Sequence, residues 1–517
     1  MTREPLNHFA IRLHDSDDVA VLKRPLTKGT HLSSPGCDIT AGADIPAAHK
    51  IAIRAVAQGQ PVRRYGQIIG QAKQPISPGD HVHTHNLVAG DFSRQYEFCV
   101  DARPVEYWPL EQMRHFQGYL RPDGRVGARN YVAVISSVNC SATVCRYVAE
   151  RFKSEQYRRD FPDVDGVLAV THKSGCTTPP GGAADILRRV LVGFARHPNI
   201  AGYVMIGLGC EGNQISTLRK RFGLDVLRPD EPPPAFMTIQ DVGGTGRTVE
   251  AAVAAVAKLL PLANGARRSA QPVSKLILAE NCGGSDGNSG ITANPALGVA
   301  SDELVRHGGT SVFAETPEIY GAEHLLARRA VSREVGDKLI AFIRWWEEHA
   351  RMYGATIDNN PSPGNKEGGL TTIYEKSLGA VAKAGQSPLA AVYAYAEQIT
   401  ASGLCFMDTP GYDPVSMTGL VAGGCNIACF TTGRGSVYGC KPAPCIKIAS
   451  HTPLFNHMMD DMDLNAGTIL DGSETTQEVG MRIFEKMIAI ASGERTKSEQ
   501  AGVGDEEFAP WMLGPTF

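Results

Sequence analysis

Residues 274–298 read SKLILAENCGGSDGNSGITANPALG, an apolar run followed at once by a polar, glycine-rich segment. The run 274–282 predicts a buried strand, because short apolar stretches bounded by turn residues are typical of parallel sheets. Five glycines fall between 280 and 298, and glycine-rich turns let backbone N–H groups approach an anion. A flexible surface loop is the alternative, but the core-like flanking runs argue against it. A P-loop is excluded, since the pattern GxxxxGK[ST] does not occur.

The same pattern of apolar runs followed by polar segments extends along most of the chain. Three more buried strands are predicted at YVAVISSV (131–138), GVLAVTH (166–172) and AGYVMIGLG (201–209). Helical patterns lie at 182–196, 248–262 and 474–492. Alternating strands and helices favour α/β layers with mostly parallel sheets. Polar motifs follow the strands, and carboxyl strand ends form the ligand crevice of such sheets. We therefore expect one composite site built from SSVNC, THKSGC, GLGCEGNQ, AENCGGSDGNSG and FTTGRGS.

The beginning of the chain has a different pattern. Short, alternating apolar runs separated by Gly, Pro and Asp turns fill residues 8–99, which predicts a small all-β unit. Residues 101–118 contain two prolines and no clear period, as expected of a linker. We therefore expect a β domain at 1–100, a linker at 101–118, a first α/β domain at 119–268 and a second at 269–517.

Composition limits the classes of function. The 517 residues are 43% hydrophobic and 20% charged, with a formal net charge of −3. This balance gives no electrostatic reason to expect nucleic acid or a membrane surface as partner. The N-terminal residues lack the apolar core of a signal peptide, and no apolar run reaches the roughly 18 residues of a membrane span. We expect a soluble cytoplasmic protein, with a homodimer as the commonest assembly.

Several cysteines and histidines are candidate metal ligands. Twelve cysteines without CxxC spacing predict neither a disulfide framework nor a zinc finger. Thiolates that follow predicted strands would suit iron or another transition metal, whereas inert buried thiols are the alternative. His81, His83 and His85 would share one face of a strand, unless HVHTH is simply a solvated edge. The metal candidates are Cys140, Cys176, Cys210, Cys282, His83 and His85.

Two loops are candidates for binding an anionic substrate. Residues 359–372, NNPSPGNKEGGLTT, place Lys366 after a Pro-Gly turn, where its ammonium could hold a carboxylate. The segment 430–436, FTTGRGS, places Arg434 after a predicted strand, where it could bind a carboxylate through two hydrogen bonds. An exposed turn lysine and an arginine that caps a strand-end carbonyl are the alternatives.

Eight segments together resemble one family, the altronate and galactarate dehydratases, over nearly the whole chain. They are HDSDDVAV, RYGQIIG, DGRVGARN, GLGCE, CGGSDGNSGITANPALG, NPSPGNKEGG, TTGRGS and NAGT. The resemblance implies an N-terminal β-clip domain of the SAF type followed by two α/β domains. It also implies an iron-dependent loss of water from a sugar acid, and HVHTHN and ETPEIYGAEHLL look more like the altronate enzymes. Relatives that split these parts between subunits act on sulfolactate.

These considerations lead to a specific hypothesis. The chain would convert D-altronate to a 2-keto-3-deoxy acid, with galactarate, another sugar acid or loss of sulfite as alternatives. A sugar-acid sensor without turnover is a further alternative. Iron is the expected metal, Mn²⁺ or Mg²⁺ would replace it if the cysteines are core residues, and an iron–sulfur cluster is a further option. The catalytic candidates are His172, Lys173, Glu211, Asp286, His14 and Asp17. The substrate-binding candidates are His49, Arg64, Asn365, Lys366, Thr431, Thr432 and Arg434.

Overall fold

The computed structural model describes residues 3–90, 95–178, 181–228 and 233–516. Three small sheets form the N-terminal β domain, in the strand orders β1-β4-β5, β2-β3-β6-β9 and β10-β8-β7. One short helix, α1 (Leu6–Phe9), lies among them. The strands are β1 (Arg3–Pro5), β2 (Ala10–Ile11), β3 (Val19–Leu22), β4 (His31–Ser34), β5 (Cys37–Thr40), β6 (Lys50–Ala52), β7 (Pro61–Arg64), β8 (Gln67–Ala72), β9 (His81–Val82) and β10 (Leu87–Val88).

The first α/β domain is a four-stranded parallel sheet in the order β14-β13-β15-β16. All six residues of YVAVIS in β13 are buried, because helices cover both faces of a parallel sheet. The strands are β13 (Tyr131–Ser136), β14 (Gly166–Val170), β15 (Ile200–Gly207) and β16 (Ala235–Thr238). The helices are α2 (Ala142–Glu150), α3 (Glu155–Asp160), α4 (Gly182–Ala195), α5 (Ile215–Phe222), α6 (Ile239–Val242) and α7 (Thr245–Gly265).

The second α/β domain is built on a seven-stranded parallel sheet in the order β20-β21-β19-β18-β22-β23-β24. The strands are β18 (Ile277–Cys282), β19 (Thr310–Phe313), β20 (Leu389–Tyr393), β21 (Gly403–Met407), β22 (Ile427–Thr432), β23 (Cys445–Ala449) and β24 (Leu464–Asn465). The helices are α8 (Ala293–Arg306), α9 (Glu323–Arg328), α10 (Arg333–Met352), α11 (Pro363–Glu367), α12 (Ile373–Val381), α13 (Asp413–Gly423), α14 (Thr452–His457), α15 (Thr468–Asp471), α16 (Thr476–Ala491) and α17 (Lys497–Ala501).

A small antiparallel sheet ties the two α/β domains together. Strand β11 (His115–Leu120) pairs with both β12 (Val126–Gly127) and β17 (Ser269–Pro272). The last residues of the expected linker, 115–118, therefore form part of a strand. Helices α4 and α13 also pack closely, since a Cβ added at Gly193 would lie 2.1 Å from the carbonyl oxygen of Ala422.

The predicted fold class is confirmed: a small all-β domain precedes two α/β domains with parallel sheets. The three predicted helices correspond to α4, α7 and α16, and the strand at 274–282 corresponds to β18. The five polar motifs, however, lie on two sheets. Three follow β13, β14 and β15, and two follow β18 and β22, so the single composite edge expected from sequence is divided in two. No helix in the described ranges is long and apolar enough to cross a lipid bilayer.

Candidate active site

The carboxyl edge of the seven-stranded sheet gathers most of the candidate substrate-binding residues. The glycine-rich loop after β18 contacts the loop after α11, where the Gly287 N–H donates to the carbonyl of Gly368 over 2.8 Å. The loop after β22 lies on the same side, because a Cβ at Gly433 would be 2.2 Å from the carboxyl carbon of Asp286. Positions 287 and 433 require glycine, because the loops meet there without room for another side chain.

Asp286 shapes this loop through its buried carboxylate. Its Oδ1 accepts hydrogen bonds from the backbone N–H of Ser289 over 2.8 Å and from the Ser450 hydroxyl over 3.0 Å. It also accepts from the backbone N–H of Asn288 over 3.1 Å. So many donors fix the carboxylate in place, which makes Asp286 an organiser of the glycine-rich loop in this structure.

Helix α11 carries Asn365 and Lys366 to the same edge. Ser362 and Asn365 form a reciprocal capping box that starts the helix. The Asn365 amide donates to the carbonyl of Ser285 over 2.8 Å, which fastens α11 to the glycine-rich loop. Arg434 is half exposed and pairs with Glu367 at 3.2 Å. Thr431 and Thr432 are buried strand residues: the Thr431 hydroxyl donates to Asn294, and that of Thr432 accepts from the Gly435 N–H.

Two histidines of the β domain contact α11, and two more pack beside them. His49 Nε2 donates to the carbonyl of Glu367 over 3.1 Å, and His83 Nε2 donates to that of Lys366 over 2.9 Å. His49 Nδ1 therefore accepts from His81 Nε2 over 3.0 Å. His85 packs against His81, with ring centroids 5.5 Å apart. Burial and nearby positive charge lower the pKa of His81 to about 3 and that of His83 to about 4. Both imidazoles are therefore neutral at physiological pH.

An ion network fastens the β domain to α12. Lys50 and Arg64 are fully buried, and both pair with Glu375, at 3.0 and 2.5 Å. Arg64 also donates to the carbonyl of Gly287 over 2.7 Å. Burial would raise the pKa of Glu375, but the two cations outweigh it and lower the value to about 2. Arg64, expected to bind substrate, is thus engaged in domain docking.

Acid should release this network. Glutamate has a pKa of about 4.3 in an unfolded chain, against about 2 here. Because the folded pKa is depressed, the stabilisation is complete above about pH 4.3 and disappears as the pH falls through about 2. We expect the urea midpoint to fall across this window, and to fall less in Glu375→Gln. Identical pH profiles for the two proteins would contradict this assignment.

A second cluster, here called the buried centre, comprises Cys282, Glu315, Glu318, Lys376, Lys383 and Asp413. Lys383 Nζ lies 2.8 Å from Cys282 Sγ and 3.0 Å from Glu315 Oε2. Lys376 pairs with Glu318, which also accepts from the Asn360 amide over 2.9 Å. Asp413 alone of the six is half-buried. The loops 282–287 and 360–367 both extend from this centre to the carboxyl edge of the seven-stranded sheet.

The buried centre has more acidic than basic groups. Four groups can become anions, and two ammonium groups face them. Burial raises the pKa of Glu315 to about 8, that of Asp413 to about 7 and that of Cys282 to about 12. Glu318 behaves differently, because Lys376 and Lys383 outweigh burial and lower its pKa. Without a bound cation, the centre therefore limits its negative charge by keeping some of its acids protonated.

Part of the buried centre fits a divalent cation. Within the described residues, Cys282, Glu315 and Glu318 are the group of three donors whose atoms all lie within 4.8 Å of one another. Glu315 Oε1 is buried without a hydrogen-bond partner. Its backbone has φ 71°, a strained conformation for a side-chain-bearing residue and one that clusters at functional sites. A thiolate and two carboxylates suit a transition-metal ion. When all four acids of the centre are ionised, they exceed the two ammonium groups by two negative charges, which a divalent cation would neutralise.

The first α/β domain holds the remaining large-domain candidates at its own carboxyl edge. His172 is buried, and its ring bonds to the Ser136 carbonyl and the Ser174 N–H. Burial lowers its pKa to about 4. The buried Glu211 carboxylate accepts from the Ser137 hydroxyl over 2.8 Å and from the Gly209 N–H over 2.7 Å. Both residues thus shape the loops of this edge. Lys173, Cys140, Cys176 and Cys210 are exposed there, whereas Cys282 is buried in the other domain.

Two β-domain candidates organise local structure. The Asp17 carboxylate accepts from the His14 N–H over 3.0 Å and from the Gly66 N–H over 2.8 Å. The exposed His14 ring bonds to the Ser16 hydroxyl over 2.8 Å. These contacts hold the turn that precedes β8, and the hydrogen bonds of both side chains stay within the β domain.

Comparison with known proteins agrees with this architecture. Three family models match in series: the altronate/galactarate dehydratase SAF domain at 8–90, the D-galactarate dehydratase/altronate hydrolase second domain at 118–264, and the D-galactarate/altronate dehydratase C-terminal domain at 273–516.

Three curated proteins illustrate the similarity. The chain is 34% identical to altronate dehydratase of Bacillus subtilis (strain 168), over 95% of this chain and 96% of that protein. It is 36% identical to galactarate dehydratase (L-threo-forming) of Escherichia coli (strain K12), over 96% of each chain. It is 32% identical to the beta subunit of (2R)-sulfolactate sulfo-lyase of Chromohalobacter salexigens, over 75% of this chain and 95% of that subunit. The chain therefore belongs to the D-galactarate/altronate dehydratase family.

Proposed function

We propose that this chain is a hydro-lyase that removes water from a sugar acid, D-altronate first, to give a 2-keto-3-deoxy acid. The observation that carries the proposal is the buried centre, where paired carboxylates, a thiol and two ammonium groups adjoin the glycine-rich edge of the seven-stranded sheet. Family membership makes dehydration the expected chemistry for such a centre. Galactarate and other sugar acids remain alternative substrates, since the altronate and galactarate relatives are about equally similar.

The reaction has two difficult requirements. The hydrogen on C2 is weakly acidic, and the enediolate left by its removal carries extra negative charge beside the carboxylate. Cys282, Glu315 and Glu318 would hold the divalent cation, ferrous iron first and Mn²⁺ or Mg²⁺ as alternatives. When bound, it would supply Lewis-acid stabilisation of that charge. Lys376 and Lys383, whose pKa values are raised by surrounding acids despite burial, add fixed positive charge.

The carboxyl edge of the seven-stranded sheet, here called the substrate edge, would hold the rest of the substrate. Arg434 offers a planar guanidinium for the substrate carboxylate, and Lys366 offers a second cation on the neighbouring helix. On the β-domain side, His49 and His83 hold the backbone of α11 through their Nε2 atoms, and the neutral His81 lies beside them. We therefore place the carboxylate near Arg434, with C2 and C3 toward the buried centre.

Proton transfer requires one acceptor and one donor. We assign the acceptor at C2 to Asp413, because it is the one residue of the centre that is partly exposed, and burial raises the pKa of its carboxyl group to about 7. A Cβ at Gly283 would lie 2.4 Å from Asp413 Oδ2, which places this carboxylate against the glycine-rich loop. Lys383 Nζ, as a fixed cation, would stabilise charge on the leaving 3-hydroxyl, and Asp413, once it holds the proton from C2, would return that proton to the leaving oxygen. The resulting enol then tautomerises to the keto acid.

A product assay on a substrate panel tests the proposed function. The anaerobically purified, iron-loaded chain would be offered aldonic acids, aldaric acids and (2R)-sulfolactate, with keto acid and sulfite measured separately. We expect keto acid from D-altronate and no sulfite. Sulfite release from sulfolactate would instead support the second candidate, a lyase with a different leaving group, which the similarity to the sulfo-lyase beta subunit favours. Neither product from any acid would refute both.

A further inference from the structure

We propose that Cys140, Cys176 and Cys210 bind an iron–sulfur cluster at the carboxyl edge of the four-stranded sheet. The chain has twelve cysteines, and these three are the exposed ones; the other nine are buried or half-buried. A free cysteine is among the most buried residue types, and unpaired exposed thiols are generally avoided. Three exposed thiols at the ends of three adjacent strands therefore indicate a ligand.

Backbone hydrogen bonds join the three loops that carry these thiols. The N–H of Asn139, the residue before Cys140, donates to the carbonyl of Ser174 over 3.0 Å. The carbonyl of Cys176 accepts from the N–H of Gly212 over 2.8 Å. The loop after β14 thus contacts the loops after both β13 and β15. Sequence separations of more than thirty residues conceal this proximity, although each cysteine occupies the same place relative to its strand.

The surroundings favour a negatively charged ligand. Helices α2, α4 and α5 each begin a few residues after one of the cysteines, and none has a side-chain cap at its first turn. Uncapped helix N-termini carry partial positive charge and free N–H groups, which stabilise thiolates and anions. Gln240 follows the fourth strand, and its amide donates to Cys210 Sγ over 3.5 Å. Such bonds to sulfur are a recognised means of tuning a cluster.

The positions of the three sulfur atoms argue against a single ion. The sulfur atoms of these cysteines do not meet the 4.8 Å mutual distance that the donors of the buried centre meet. One ion with bonds of about 2.3 Å needs closer sulfurs, whereas a cluster places each thiolate on a different iron. Three thiolates would ligate three irons of a [4Fe–4S] cluster and leave the fourth open to an oxygen ligand, such as a hydroxy acid. Only the suggestion that a hydroxy acid binds the fourth iron rests on the proposed function.

Anaerobic reconstitution tests the cluster directly. The full chain would receive equal amounts of ferrous and ferric iron with sulfide, so that a [4Fe–4S]²⁺ cluster forms without further electron transfer. Each of the three thiols loses its proton on ligation. We expect about four acid-labile sulfides per chain and about four irons beyond the one assigned to the buried centre, with broad visible absorbance. We expect Cys176→Ser to lose at least half of the sulfide, and Cys37→Ser, a half-buried cysteine of the β domain, to retain all of it.

The readout separates this proposal from the function proposed above. Sulfide content and absorbance report the cluster whether or not the chain turns over any sugar acid. Circular dichroism should show Cys176→Ser folded, since the side chain is exposed. Iron bound without sulfide in the unmodified chain would overturn the proposal, as would full sulfide content in Cys140→Ser, Cys176→Ser and Cys210→Ser alike.

Discussion

Replacing Glu315 by Gln is expected to weaken divalent-cation binding by more than the roughly 10–100-fold that loss of an outer-shell partner costs. Turnover at limiting cation should fall in proportion. The amide keeps the shape of the side chain but cannot ionise. Glu315 Oε1 has no hydrogen-bond partner, so the carboxylate is available to a cation without giving up another contact. Calorimetric titration of the metal-free chain would measure the change.

The stability of this variant distinguishes a binding role from a structural one. Without a cation the Glu315 carboxyl holds its proton at neutral pH, because burial raises its pKa to about 8. A neutral amide should therefore leave the metal-free melting temperature nearly unchanged. Glu367→Gln is the matched control, since that carboxylate is exposed beside Arg434. Unchanged cation affinity in Glu315→Gln would remove this residue from the site.

Replacing Glu375 by Gln should produce the largest loss of stability. Breaking a buried ion pair by removing one partner typically costs about 3–5 kcal/mol, because the remaining charge stays buried and unpaired. Here two cations, Lys50 and Arg64, would lose their shared carboxylate. Urea unfolding should show the loss, and Glu367→Gln again serves as control.

A double substitution measures the coupling between Lys50 and Glu375. If Lys50 and Glu375 act as one network, Lys50→Met in the Glu375→Gln background should recover part of the lost stability, because it removes one of the stranded charges. The coupling would be measured as the departure from additivity. Strict additivity, or a loss below about 0.5 kcal/mol in Glu375→Gln, would show that the β domain does not depend on this network.

Much of the fold was predictable because its signals are local. Apolar runs such as 131–138 and 274–282 are buried strands, and the helix at 474–492 has the 3.6-residue period that α16 shows. The ordering of strands was not predictable, because it depends on which distant segments pack together. For the same reason the polar motifs looked like one edge, whereas the structure divides them between two sheets.

The sequence pointed to the loops of the candidate site, but to only one member of the buried centre, Cys282. Gly, Asn, Lys and Arg motifs drew attention to Asn365 and Arg434, which the structure places at one edge of the seven-stranded sheet. The buried charges Glu315, Glu318, Lys376 and Lys383 escaped notice because charged residues in a sequence ordinarily indicate surface. One signal was present: Glu-Thr-Pro-Glu follows the apolar run TSVF, which places two carboxylates just after a buried strand. Arg64 illustrates the converse, since its motif does not reveal its buried partner Glu375.

The most direct test of the account is turnover of D-altronate by the full chain before chelation, after chelation and after ferrous iron is restored. We expect formation of a 2-keto-3-deoxy acid that disappears with the chelator and returns with the cation, while Glu315→Gln requires far more cation for the same rate. Keto acid formed at full rate by the metal-free chain would contradict it.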